Sequence, residues 1–133
     1  EIDRSAESSA EKAAQEAIKE AAAVLKQKKA AEKKVIADGK TAEKAANSAE
    51  KALNSAKKAN DSSKASAFAT TAQDEAKKAQ EAYDQSKVDL AELKALLKLS
   101  QSSITTKADS AVQQAEMAAW RASNAATEAA QYL

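Results

Sequence analysis

The chain has 133 residues, with 21 basic and 20 acidic side chains, no Cys, no His, no Pro and a single Gly. This length fits one domain, or one fragment of a longer protein. The missing residue types exclude a disulfide framework, a His- or Cys-based centre and a glycine-rich phosphate loop.

Ala accounts for 37 residues, whereas Val, Ile, Leu and Phe together account for only 17. So few large apolar residues would warn of disorder in a highly charged chain. Here the net charge is +1, and Ala, Glu, Lys, Leu and Arg make up 79 residues, the composition of a long helix or coiled coil. Periodicity decides between the two.

From the N-terminus, Ala10, Ala13, Ala17, Ala21 and Val24 follow a 3-4-4 spacing that drifts from a heptad and predicts a straighter helix. Ile18, Leu25, Val35 and Ile36 widen its apolar face. A turn is expected at 38–41, where Gly39 suits a helix C-terminus and Thr41 suits the next N-cap. Next comes a strict 3-4 seam of Ala42, Ala45, Ala49, Ala52, Ala56 and Ala59. A further break is a candidate at 60–64, where Asn60, Asp61, Ser62 and Ser63 offer capping side chains.

The second seam runs Ala72, Ala76, Ala79, Tyr83, Ser86, Leu90, Leu93 and Leu97. The Ser- and Thr-rich stretch 100–107 shifts the phase and predicts another turn. The third seam runs Ile104, Ala108, Ala111, Ala115, Ala118, Ala122, Ala125, Ala129 and Tyr132. Each seam is an a/d stripe that holds one helix face against a partner. The expected fold is all-α, a single domain over 1–133. It is either an alanine-rich coiled coil or an elongated antiparallel bundle of three to four helices.

Burying an alanine removes little apolar surface, so each seam contact is weak. The dense aliphatic patch of Leu90, Leu93, Leu96, Leu97 and Leu99 is therefore the candidate anchor for helix packing or an oligomer contact. Tyr83 and Tyr132 fall on the seams, as core residues do. Trp120 falls at f, opposite its seam, with Met117 one turn away, and the pair is a candidate exposed partner contact. The bland alternative is that another helix covers them.

Catalysis is not expected. Nucleophilic chemistry needs a base beside Ser or Thr, and no His is available. Asp3, Glu7 and Glu11 share a helical face but read as a solvated surface rather than a metal site. No cofactor is expected. Lysines interleaved with carboxylates argue against nucleic acid, and no apolar run reaches the roughly 18 residues of a membrane span.

The blocks Ala42-Glu43-Lys44-Ala45-Ala46-Asn47-Ser48-Ala49-Glu50-Lys51-Ala52 and Ala76-Lys77-Lys78-Ala79-Gln80-Glu81-Ala82-Tyr83, with the spacer Asn60-Asp61-Ser62-Ser63-Lys64-Ala65, resemble a known pattern. It is the alanine-heptad domain of the merozoite surface protein 3 family of malaria parasites. The resemblance implies a secreted protein held peripherally at the parasite surface, binding other surface proteins and itself as a homo-oligomer. The family's acidic tail and C-terminal zipper are missing, so the match is to its central domain. Two other readings stay open: a self-assembling, silk-like coiled-coil material, and another alanine-rich parasite surface bundle.

Overall fold

The computed structural model describes residues 4–99 and 106–133, and the side chains of 9–98 and 107–133. Among these the chain forms three α-helices: α1 at Arg4–Lys58, α2 at Ser62–Leu99 and α3 at Thr106–Ala129. A short 3-10 turn, Ala130–Tyr132, follows α3. The fold is an all-α helical bundle.

Helix α1 is 55 residues long, roughly 80 Å at 1.5 Å per residue. It runs unbroken through 38–41, which corrects the turn expected there. Without Pro, nothing removes a backbone donor, and one helical Gly costs only about 1 kcal/mol against Ala. The reason for Gly39 is packing. A Cβ at this buried position would sit 2.8 Å from the Ala111 carbonyl oxygen and 2.9 Å from Gln114 Oε1, so glycine lets α1 approach the backbone of α3. Thr41 does not cap a helix; its hydroxyl donates to the Ala37 carbonyl one turn back, at 2.9 Å.

The chain does break at the next candidate, over residues 59–61, which overlaps the start of the 60–64 stretch. Asp61 ends the break as an N-cap. Its Oδ1 accepts from the Ser63 N–H at 2.8 Å, and its carbonyl accepts the first helical bond, from Ala65, at 2.9 Å. Lys57 and Lys58 close the last turn of α1, where positive charge suits the dipole. Most of the 100–107 stretch lies outside the described residues; α3 has begun by Thr106.

The pairings give the topology. Glu43 meets Gln114, Glu50 meets Arg121 and Lys57 meets Glu128, one pair per heptad, so α1 and α3 run parallel. Lys34 reaches Glu92 and Lys57 lies next to the turn into α2, so α2 runs antiparallel to both. Three helices therefore lie side by side, up, down and up.

The core divides into two clusters. The larger is almost all alanine, from Ala42 to Ala52 on α1, Ala69 to Ala82 on α2 and Ala115 to Ala129 on α3, closed by half-buried Tyr83 and Tyr132. Small side chains let the three axes come close together, and the many weak contacts sum along the seam. The smaller cluster holds the bulkier residues: Val35, Leu93 and Leu97 are buried with Ala31, Ala108 and Ala111, flanked by half-buried Ile36, Leu90 and Leu96. Leu93, 1% exposed, is one of the largest fully buried side chains.

Below Ala31 the bundle stops but α1 does not. Every side chain from 9 to 23 is exposed, including Ile18 at 68%. The helix backbone from Arg4 to Lys26 thus runs on for roughly 35 Å as an arm whose side chains 9–23 are exposed.

Candidate interaction surfaces

The leucine patch lies within the molecule. Leu93 and Leu97 on α2 are buried against α1 and α3, and Leu90 and Leu96 pack at the cluster's edge. The side chain of Leu99 lies outside the described residues. Leu90, Leu93, Leu96 and Leu97 join helices of one chain.

Met117 and Trp120 stand apart from them on the outer side of α3, 64% and 66% exposed. They border an open groove between α2 and α3, lined also by Gln80, Tyr83, Ala119 and Ser123. Tyr83 carries the Lys87 ammonium 4.4 Å from its ring centroid, a cation–π contact. Ala119 is the one alanine in its lining, and Gln80, Glu116 and Ser123 bring polar groups beside the apolar ones. A rigid aromatic and a flexible thioether at its lip are the side-chain types that bury well against a partner.

Between the two clusters lies a polar layer that the sequence pattern conceals. Asp38 on α1 and Asp89 on α2 face each other; Asp89 is 6% exposed and Ser86, one turn away, is fully buried. Ser86 donates its hydroxyl to the Tyr83 carbonyl at 2.6 Å, and Gln85 donates to Asp89 Oδ1 at 3.0 Å. Asp38 Oδ2 is buried without a hydrogen-bond partner. Two ionised carboxylates are both acceptors, so they can bond only if one holds a proton. Asp38 is the one that does. Burial raises its pKa to about 7, helped by the hydrogen bond to Asp89 and by that residue's charge, while Lys34 pulls the other way.

The sequence conceals this layer because an aspartate beside Gly39 reads as part of a turn. The signal was available: counting in 4-3 steps from Ala31 through Val35 puts Asp38 on the same stripe as Ala42 and Ala45. A buried polar group at such a position restricts the registers the helices can adopt.

The surface ion pairs are lesser features. Arg121 binds Glu50 through Nε at 2.8 Å and Asn47 through Nη2 at 2.9 Å, and Lys57 binds Glu128 at 2.8 Å. All are solvated, and such pairs contribute about 0–1 kcal/mol each. Among the described residues, no group of three or more acidic side chains comes together in a way that could hold a metal ion, and no helix is long and apolar enough to cross a membrane. Compared with protein-family models, curated proteins and solved structures, this chain matches none.

Proposed function

We infer that this chain is a structural association module that acts through its helix faces and performs no catalysis. One observation carries the reading: the stripe that α1 buries inside the bundle continues, uncovered, along its N-terminal arm. The Met117–Trp120 groove adds a second uncovered apolar face. In this reading the bundle is a rigid body and the two faces are where other helices or proteins attach.

The finer form of the proposal is a secreted scaffold, held peripherally at a parasite surface by other surface proteins and by its own copies. It rests on the resemblance of the 42–52 and 76–83 blocks to the alanine-heptad family. A self-assembling structural material would use the same arm. Association is tested by sedimentation and circular dichroism on the purified chain from about 1 to 300 μM. Mass should rise above that of one chain while helicity also rises. A single-chain mass with constant helicity across the range would remove self-association from the proposal.

A further inference from the structure

The arm of α1 is built to the same plan as the part of α1 that is buried. Stepping back from Ala56 in alternating fours and threes gives Ala52, Ala49, Ala45, Ala42, Asp38, Val35 and Ala31, the residues that face the core. Continuing in the same phase gives Lys28, Val24, Ala21, Ala17, Ala14 and Ala10. Ala14, rather than Ala13, keeps the step, so the heptad does not drift. Inside the bundle, the position after Asp38, Ala45 and Ala52 is also buried, at Gly39, Ala46 and Leu53, and the first of these touches α3. On the arm the same position is held by Ile18 and Leu25, 68% and 50% exposed. The arm thus repeats the packing face without the helices that cover it.

A solitary helix of about 23 residues in water is only marginally stable, even when rich in alanine. Its charges indicate what covers it. Within α1, residues 4–11 carry two carboxylates and one arginine, while residues 20–30 carry three lysines and one glutamate. Laid antiparallel on a second arm, each acidic tip faces the other's basic base; laid parallel, like charge faces like. The heptad phase agrees, because antiparallel a-to-d layers pair Ala10 with Ala21 and Ala14 with Ala17 of the other copy, bringing Val24 and Lys28 opposite the tip. The contact is self-complementary, as a two-fold dimer requires.

We propose that two copies of this chain join through their N-terminal arms as an antiparallel pair, leaving the two bundles at opposite ends of the shared rod. The proposal rests on the self-association reading above and adds its location and direction.

Sedimentation of the full chain and of an Ile18→Lys/Leu25→Lys variant tests the location. Both positions are exposed, so the bundle's melting should not change, and the dimer dissociation constant should rise by roughly tenfold or more. Direction is read by mixing Ala10→Cys with Ala21→Cys chains under oxidation. The antiparallel arrangement yields predominantly the mixed disulfide. A dimer unchanged by the lysine substitutions overturns the proposal while sparing self-association, and places the contact elsewhere, such as the Trp120 groove. Preferential Ala10→Cys homodisulfides overturn the direction. A monomer at all concentrations overturns both this proposal and the reading beneath it.

Discussion

The two halves of α1 share composition, helix propensity and heptad phase, yet residues 42–56 supply much of the core and residues 9–23 are wholly exposed. What separates them is only the extent of α2 and α3. An alanine seam therefore marks a face able to pack, and the partner's reach decides whether it does. Alanine makes this possible, because an uncovered alanine stripe exposes little apolar surface and tolerates water where a leucine stripe would not.

The largest contrast should come from equivalent truncations in the two regions. Leu93→Ala empties the fully buried site between the three helices and should destabilise the bundle by about 2–5 kcal/mol, read by urea unfolding followed by circular dichroism at a concentration where the chain is monomeric. Ile18→Ala, on the arm, should change that value by less than about 0.5 kcal/mol. Equal effects would mean that the arm is packed against its own bundle.

Glycine sharpens the comparison. Gly39→Ala adds helix propensity but drives a methyl into the Ala111 carbonyl, so it should destabilise by roughly 1–3 kcal/mol in the same unfolding experiment. A gain in stability would show that α1 and α3 can separate without loss.

The polar layer predicts a pH dependence. In the folded bundle Asp38 holds its proton to about pH 7, while in the unfolded chain it loses it near 3.8. Between those values the folded state binds the extra proton, so this group's contribution is complete below about pH 4 and is lost as pH rises through 7. The loss should be on the order of 2 kcal/mol, less than the full difference in pKa because half-buried Asp38 is partly screened by water. Asp38→Asn should flatten the dependence and make the bundle more stable than the parent at pH 8. A variant with the parent's pH profile would place the titration elsewhere. The smallest effect belongs to Trp120→Ala: at an exposed site it should leave helicity intact and shift stability by less than about 0.5 kcal/mol.

The seams were legible because heptad spacing directly encodes which face is buried. From Ala42 to Ala56, and from Ala108 to Ala129, the a/d residues named from spacing line the core. Tyr83 and Tyr132 sit half-buried at its edge, and Trp120 lies outside it. The turn at 38–41 was misread because glycine serves two purposes. It ends helices, and it also lets them touch, and only the presence of Ala111 opposite Gly39 distinguishes the two. The Asp38–Asp89 pair was missed for a related reason: an aspartate beside a glycine looks like a turn until the seam is counted through it. The exposure of the arm was not legible at all, since its residues read as a packing face and the length of the covering helices is a property of the whole fold.

Hydrogen exchange at two concentrations tests the central claim most directly. In dilute solution, amides of residues 9–23 should exchange at least roughly a hundredfold faster than those of 42–56. At several hundred micromolar the arm amides should become protected while those of the bundle stay unchanged. Arm protection that is already high in dilute solution, or that never rises with concentration, would contradict an uncovered seam that a second copy closes.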